Sequence, residues 1–259
     1  MIQKGFCTMK SHIKKLVPIF LLNHYKRLKW YKMQSTSLNK TTEEVFTEIY
    51  EHNKWGGSKG KFCSGPGSTH KQIVSAYINM ISDKASSENF LGSSFIDLGC
   101  GDFLVGKKLI PLCSSYTGID IVKSLVEHNQ KKYGNEIINF MHLNIVEDEL
   151  PTGDVCFVRQ VLQHLNNQQI SAILKKLKIY KWVFITEHYP TNNNNIRPNI
   201  DKMCGSDIRL NENSGVYFTE PPFILPIKAI EKVLEISVIS MGKNIDPGVI
   251  VTFLYKPGE

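Results

Sequence analysis

Apolar runs of strand length alternate along this chain with segments whose apolar residues recur at helical spacing. One run ends in Asp97 and is followed by glycines at Gly99 and Gly101. A helix-compatible stretch that contains Gly106 comes next, and a second apolar run then ends in Asp120. Strand, glycine turn, helix, strand and acid in this order are typical of one half of a nucleotide-binding βαβ unit.

The alternation continues to the C terminus and predicts five more strands. The predicted strands are 137–143, 155–158, 182–186, 236–239 and 249–255, and the predicted helices are 71–83, 122–132, 170–177 and 227–234. An earlier helix is expected to begin after a cap at Thr41 or Thr42. Strands that alternate with helices indicate an α/β fold, with an open, mostly parallel sheet and helices on both of its faces.

Length and charge divide the chain into two parts. The 259 residues, 42% of them apolar, fit one large α/β domain with an N-terminal extension. We predict an extension and linker over 1–40 and a domain over 41–259, in which 41–90 form a helical cap or lid. Residues 1–40 hold nine of the 31 basic residues and none of the 24 acidic ones, so the rest has a net charge of −2. That balance does not favour nucleic-acid binding, and we expect no nucleic-acid partner.

The extension contains a basic segment, 10–32, in which apolar residues are interleaved with lysines. Its apolar core, Leu16 to Leu22, is too short to span a bilayer and contains Pro18. Two interpretations stay open: peripheral contact with an anionic membrane surface, or a helix that packs on the body. The six cysteines lack the spacing of a zinc site, so we predict no metal and a cytoplasmic protein with reduced thiols, membrane-associated at the inner face under the first interpretation.

The residues around the glycine turn distinguish between ligands. A dinucleotide fingerprint requires a third glycine at the position of Leu104, but the next glycine is Gly106. A carboxylate at Asp97, directly before the turn, repels a pyrophosphate and suits a ligand that carries an ammonium and a sulfonium. These features argue against a nicotinamide oxidoreductase.

The sequence Asp97-Leu-Gly-Cys-Gly resembles motif I of the class I S-adenosylmethionine (SAM) methyltransferases, and Asp120 matches their ribose-binding acid. The resemblance implies a Rossmann-like, doubly wound, mostly parallel seven-stranded sheet with an antiparallel C-terminal strand. It also implies SAM as the cofactor and S-adenosylhomocysteine (SAH) as the product. The cofactor-binding residues expected at the ends of the strands are Asp97, Gly99, Cys100, Gly101, Asp102, Asp120, Ile121, Asn144, Ile145, Arg159 and Gln160.

Asn144 departs from this pattern, because class I methyltransferases usually have an Asp at its position. In that family the Asp accepts a hydrogen bond from the adenine amine. The side-chain carbonyl of an asparagine can accept the same bond.

The segment before motif I resembles a methyltransferase family associated with bacterial surface-polysaccharide biosynthesis. It reads Phe46-x-x-Ile-Tyr-x-x-Asn-x-Trp-Gly, followed by Ser-Gly-Pro-Gly-Ser at 64–68. The resemblance places this segment over the methionine end of SAM, where backbone amides and hydroxyls can hold a carboxylate. The candidates are the amides of Gly65 and Gly67 and the hydroxyls of Ser64 and Ser68.

The run after the fourth predicted strand, Arg159-Gln-Val-Leu-Gln-His-Leu, resembles the same family and includes its characteristic His164. Ligands of open parallel sheets bind at the carboxyl ends of the strands near the switch point. His164 is therefore our main candidate to position or deprotonate an acceptor hydroxyl, since an unperturbed histidine titrates near neutral pH. Arg159 is expected between cofactor and substrate, and Glu187 and His188 are further catalytic candidates on the same rim.

These resemblances predict O-methylation of a sugar hydroxyl in a surface glycan or its precursor, with a small molecule or glycan as the substrate. One alternative is N-methylation of a protein or another small molecule, and another is a non-catalytic SAM-fold binding protein at the membrane surface. The Asn/Asp-Pro-Pro-aromatic tetrapeptide of amino-methylating DNA enzymes does not follow the fourth strand. A later segment, 199–226, resembles the family's C-terminal signature through Asp201, Gly205, Arg209 and Pro221-Pro-Phe223, but extra residues at 211–220 leave its substrate contacts open.

Overall fold

A computed structural model of the protein describes residues 39–58, 60–191, 195–242 and 245–259. The predicted membrane-contact segment, 10–32, lies outside these ranges, as does nearly all of the predicted extension. Within the described ranges, none of the helices combines the length and the apolar composition needed to cross a bilayer. Residues Lys40–Glu259 form one compact unit.

Seven strands form a single sheet in the order β3-β2-β1-β4-β5-β7-β6. The first five are parallel to one another, and β7 is antiparallel to both of its neighbours. The predicted fold class is confirmed. The strand order reverses between β1 and β4, and this switch point is where open α/β sheets bind ligands. The strands are β1 (Ser93–Leu98), β2 (Cys113–Asp120), β3 (Ile138–His142), β4 (Val155–Arg159), β5 (Trp182–Tyr189), β6 (Ile230–Ser237) and β7 (Val249–Tyr255).

Six α-helices accompany the sheet in the described ranges. They are α1 (Thr42–Glu51), α2 (Pro66–Thr69), α3 (Lys71–Ser87), α4 (Gly106–Leu109), α5 (Lys123–Tyr133) and α6 (Asn167–Lys176). The α1 helix begins with a capping box, in which the Thr41 side chain accepts from the Glu44 amide and the Glu44 carboxylate accepts from the Thr41 amide. One of the two predicted caps, Thr41, is thus the N-cap.

Side chains of the central strands alternate between two apolar layers, one on each face of the sheet. Ile96 and Val158 face one layer, which includes residues of α1 and α6. Phe95, Phe157 and Phe184 face the other layer, with ring centroids 5.0 Å and 5.6 Å apart along the row, and α3 covers them. Both faces of these strands are buried, as expected for parallel strands covered by helices.

Two sequence predictions near the C-terminal half are wrong. The predicted helix at 227–234 is a single 3-10 turn, Ile227–Ala229, followed by β6. Hydrogen-bonded pairing of β6 with β7 overrides the local helical spacing of its apolar residues. The strand predicted to end at 186 continues to Tyr189 and places Glu187 and His188 inside β5.

Candidate active site

A cavity of about 810 Å³ opens at the carboxyl ends of the parallel strands. Residues from the ends of β1, β2 and β4 line one half of it, and Asp97, Asp120 and Arg159 are among them. The other half is lined by Trp55, by the residues that follow β4 and by the segment after β5. We refer to these parts as the cofactor half and the acceptor half.

The turn between β1 and α4 requires glycine at two positions. Gly99 has φ +76° and Gly101 has φ +55°, a backbone region that residues with a Cβ atom rarely adopt. A Cβ atom on Gly99 would lie 2.5 Å from Cγ2 of Val161, and one on Gly101 would lie 2.3 Å from Oγ of Ser64. The turn therefore fits closely between the chain after β4 and the segment before motif I.

Asp120 holds the turn from the end of β2. Its carboxylate accepts from the Gly101 amide at 3.1 Å and from the Val122 amide at 3.0 Å. The side chain is buried, and burial raises the pKa of Asp120 to about 6, although these hydrogen bonds oppose the shift. A ligand that donates hydroxyl hydrogens to this carboxylate stabilises its charged form, as ribose hydroxyls do.

Asn129 is a residue of the site that sequence reasoning missed. It lies on α5, is fully buried, and donates from Nδ2 to the Gly101 carbonyl at 2.8 Å. Its contact with the turn depends on how α5 packs. The polar helical sequence around it contains no signal that distinguishes it from its exposed neighbours.

Asp97 is a buried carboxylate at the end of β1, and it accepts a hydrogen bond from the Tyr116 hydroxyl. Burial raises its pKa to about 6, against the opposing effects of Tyr116 and of the positive charge on Arg159. Gly106 makes this arrangement fit, because a Cβ atom there would lie 2.2 Å from the Tyr116 hydroxyl oxygen. Gly106, which does not match a dinucleotide fingerprint, thus leaves room for the tyrosine that donates to Asp97 of motif I.

The segment before motif I is tied to the glycine turn through Ser64. Its amide donates to the Asp102 carboxylate at 3.0 Å, and its hydroxyl accepts from the Asp102 amide at 2.9 Å. The Tyr50 hydroxyl lies 3.4 Å from the same oxygen. Ser64 lines the cavity, and its hydroxyl accepts from the turn while keeping its own hydrogen to donate.

The other predicted residues of this segment lie between the turn and the end of β4. Gly65 and Ser68 line the cavity, and the Gly67 carbonyl accepts from Arg159 at 3.5 Å and from Gln160 at 3.4 Å. Ser68 is 3.5 Å from the Gln160 side-chain oxygen. The segment 64–68 is thus anchored at both of its ends.

Arg159 brings a positive charge into the cavity. Its guanidinium carbon lies 5.2 Å from the centroid of the Tyr77 ring, a cation–π contact. The Nε atom is buried without a hydrogen-bond partner, and within the described ranges no carboxylate forms an ion pair with Arg159. Burial lowers the pKa of this guanidinium, and the neighbouring charge of Asp97 raises it.

The predicted adenine contacts lie in the cofactor half, but one of them is already engaged. Ile121, Asn144 and Ile145 all line the cavity. The Asn144 side-chain oxygen accepts from the Val146 amide at 3.0 Å, and its backbone amide donates to Asp148 at 2.8 Å. Asn144 therefore caps its own turn, using the carbonyl that was expected to accept from adenine.

His164 lies in a 3-10 turn, Leu162–His164, directly after β4. Its Nδ1 is 3.2 Å from the Gly205 carbonyl and 3.3 Å from the Asp207 carbonyl. Because carbonyl oxygens only accept, Nδ1 carries the proton and Nε2 offers a lone pair. The side-chain nitrogen of Gln163, Nε2, is 3.4 Å from Nε2 of His164, and the ring centroids of Trp55 and His164 are 4.9 Å apart.

The expected pKa of His164 near neutrality is wrong. Burial lowers it to about 3, and the positive charges of Lys202 and Arg209 act in the same direction, against the backbone carbonyls that oppose them. His164 is therefore neutral throughout the physiological range. Its Nε2 can accept a hydrogen bond throughout this range.

The two further catalytic candidates differ in position. His188 lines the acceptor half, its Nε2 is buried without a partner in the described part of the chain, and burial lowers its pKa to about 4. Glu187 does not line the cavity. It is fully buried on the opposite face of β5 and accepts from the Leu162 and Gln163 amides, while burial raises its pKa to about 8.

Residues after β5 complete the acceptor half. Ser206, Asp207 and Asn211 line it, and the Ser206 carbonyl accepts from Trp55 Nε1 at 3.1 Å. This contact joins the segment before motif I to a part of the chain about 150 residues later. Sequence reasoning included Trp55 in the motif before motif I but did not predict its pairing with Ser206, because that pairing depends on the long-range contact.

The sequence of the central region agrees with this geometry. Residues 96–178 match the profile of the family described as a methyltransferase domain. This central region is a SAM-dependent methyltransferase domain. The matched residues of the methyltransferase run from motif I to the end of α6 and include both acids, the glycine turn and His164.

Two solved structures are similar in fold. The N-methyltransferase NodS from Bradyrhizobium japonicum, solved with SAH, is 14% identical with a TM-score of 0.56, covering 84% of this chain and 100% of its own. A SAM-dependent methyltransferase from Leishmania major is 13% identical with a TM-score of 0.53, covering 85% of this chain and 89% of its own. At these identities the likeness concerns the fold. No curated protein sequence matches the chain.

Proposed function

We propose that this methyltransferase O-methylates a sugar hydroxyl of a surface glycan or of its precursor. The observation that carries the proposal is the composition of the acceptor half, in which one aromatic ring, Trp55, stands beside hydrogen-bonding side chains. Those side chains are Gln163, His164, His188, Ser206 and Asn211. An indole surface for the apolar face of a ring, surrounded by polar groups that fix its orientation, suits a polyhydroxylated acceptor.

The cofactor half fits SAM. Asp120 offers a carboxylate for the two ribose hydroxyls, and Asp97 offers one for the ammonium of the methionine end. When bound, SAM supplies a methyl group on a positively charged sulfur. His164 Nε2 accepts a hydrogen bond from the acceptor hydroxyl, orients its oxygen and takes the proton as the new O–C bond forms.

We also propose a cellular setting. The five cysteines of the described region are free thiols, as expected in a reducing compartment such as the cytoplasm. The basic segment 10–32 would bring the enzyme to an anionic inner membrane surface, where lipid-linked glycan precursors are accessible. Binding of the full-length protein to anionic vesicles, compared with a variant whose lysines in 10–32 are changed to glutamine, tests that contact.

Transfer of a labelled methyl group tests the function. Purified protein is incubated with SAM labelled in its methyl group and with nucleotide sugars, free glycans, or amine acceptors as the comparison. We expect label on a sugar oxygen, identified by mass spectrometry of the product. Label on amines alone would overturn the sugar assignment in favour of N-methylation, and SAH binding without transfer to any acceptor would favour a binding protein.

Arg159 is expected to bind the carboxylate of the methionine end, because it lies in the cavity beside Asp97 and forms no ion pair with a carboxylate of the described residues. Arg159→Gln should weaken SAH binding about ten- to hundredfold, since a hydrogen bond to a charged group contributes about 1.5–3 kcal/mol. It should leave unchanged the affinity for S-adenosyl-3-thiopropylamine, which lacks only that carboxylate. Isothermal titration with both ligands measures the difference.

The control is Arg197→Gln, which changes an exposed arginine that does not line the cavity. Its affinities for both ligands should equal those of the wild type. Equal losses for SAH and for the decarboxylated analogue in Arg159→Gln would show that Arg159 shapes the cavity without contacting the carboxylate.

A further inference from the structure

The turn that carries His164 is held by buried charged side chains from distant parts of the chain. On its amide side, Glu187 of β5 accepts from the Leu162 amide at 2.9 Å and from the Gln163 amide at 3.0 Å. Glu187 has no exposed surface. Both oxygens of a buried carboxyl group thus accept where the backbone of the turn presents its N–H groups.

Arg209 lies on the carbonyl side of the same turn, and only 3% of its surface is exposed. Its planar guanidinium donates five hydrogen bonds between 2.8 and 3.2 Å, and three of them go to carbonyls of the turn and of the residue after it. The acceptors are the carbonyls of Leu162, Gln163, Leu165 and Ile200 and the side-chain oxygen of Asn167. A positive charge thus lies where the backbone presents its C=O groups.

The remaining carbonyl of the turn and the imidazole itself are held by the segment 202–207. The His164 carbonyl accepts from the buried Lys202 ammonium at 3.3 Å and from the Gly205 amide at 3.0 Å. Lys202 forms an ion pair with Asp207 at 3.3 Å. The carbonyls of Gly205 and Asp207 accept from the ring, so one segment fixes both the backbone and the tautomer of His164.

We propose that Arg209 and Glu187 are positioning residues that hold His164 with Nε2 directed at the acceptor. Buried charges are costly, and apolar side chains of similar volume often stabilise a fold at least as well. Directional hydrogen bonds at both ends of one turn, from its N–H groups to the Glu187 carboxyl and from the Arg209 guanidinium to its C=O groups, define its geometry, which apolar packing does not. The inference depends on the proposed role of His164 but not on the identity of the acceptor.

Arg209→Lys tests the proposal, because lysine keeps the charge and loses the planar fork that reaches five acceptors. We expect kcat to fall about ten- to hundredfold, as small displacements of a catalytic group do, while SAH affinity stays at the wild-type value. Histidine labelled with ¹⁵N reports on His164 without any acceptor: the wild type should show the Nδ1–H tautomer and resist protonation. In Arg209→Lys we expect His164 to populate both tautomers and to have a higher pKa. The charged or hydrogen-bonding groups that face its ring there are Lys202, Asp207 and the side chain at position 209.

Glu187→Gln provides a second variant, since an amide presents one oxygen where the carboxylate presents two. Glu187→Gln should shift the ¹⁵N signals of His164. Those signals are assigned by their absence from the spectrum of His164→Gln. Tyr180→Phe is the control, because it removes a hydrogen bond of 2.8 Å to Pro151 that is remote from the turn.

The outcomes separate the two proposals. Unchanged His164 signals in both variants, or a joint loss of SAH binding and thermal stability beyond that of Tyr180→Phe, would overturn the positioning role. Altered His164 signals with unchanged turnover would leave the positioning intact and instead contradict the role of His164 in the proposed function.

Discussion

Replacing Asp120 with alanine is expected to weaken SAH binding by at least about a hundredfold. In our assignment its carboxylate accepts from two ribose hydroxyls, and each hydrogen bond to a charged group contributes about 1.5–3 kcal/mol. The substitution also releases the Gly101 and Val122 amides, which lie 3.1 Å and 3.0 Å from the carboxylate. Both effects act on the cofactor half, and isothermal titration with SAH measures their sum.

Asp154→Ala is the matched control. Asp154 also accepts hydrogen bonds from a strand residue, from the Ser94 amide at 2.9 Å and from the Ser94 hydroxyl at 2.6 Å. It directly precedes β4, however, and therefore lies at the amino ends of the parallel strands, opposite the cavity. Its loss should lower the melting temperature and leave SAH affinity unchanged. If Asp120→Ala retains wild-type affinity, or if both variants lose it equally, Asp120 is not the ribose-binding acid.

The parts of the site that sequence reasoning predicted are those whose partners are close in the chain. Asp97, Gly99, Gly101 and Asp120 belong to one continuous βαβ unit, so their spacing alone places them around one turn. The alternation of apolar runs likewise predicted all five parallel strands, and the signal is strongest for β1, β4 and β5, which are buried on both faces. For the glycine turn and for the parallel strands alike, the local sequence pattern was sufficient to predict the structure.

The parts that it missed depend on contacts between distant segments. Glu187 was expected on the rim as a catalytic group, yet it lies beneath the turn that carries His164. Whether a carboxylate faces a cavity or a backbone amide depends on strand length, and β5 is three residues longer than predicted. The hydrogen-bond partners of Trp55 and Asn129, the carbonyls of Ser206 and Gly101, likewise cannot be predicted from the residues next to them in sequence.

The chemistry of His164 illustrates the same limit. Its position at the end of the fourth strand was predictable, but its pKa was not. Burial and two cations, Lys202 and Arg209, lower that pKa to about 3. Both cations come from the segment after β5, whose packing over the turn follows from tertiary structure. The histidine expected to titrate near neutrality is instead neutral there.

His164→Ala is expected to lower kcat about a hundredfold, the lower end of the range for general acid–base groups, while SAH affinity remains unchanged. The alanine removes the lone pair that orients the acceptor hydroxyl. His164→Gln should recover part of the lost rate, because its side-chain oxygen offers an acceptor at a similar distance from the backbone. Methyl transfer to the acceptor found in the labelling assay, under saturating SAM, measures all three proteins.

The pH dependence distinguishes a fixed acceptor from a titrating base. A base with a pKa of about 3 is fully unprotonated above pH 5, so His164 should contribute no acidic limb to the rate between pH 5 and 8. His52→Ala, which changes an exposed histidine at the end of α1 outside the cavity, should match the wild type in both rate and profile. An acidic limb with a midpoint near 6.5 that disappears in His164→Gln would mean that the bound acceptor restores an ordinary pKa to this histidine. His164 would then act as a base that gains and loses its proton within the working range.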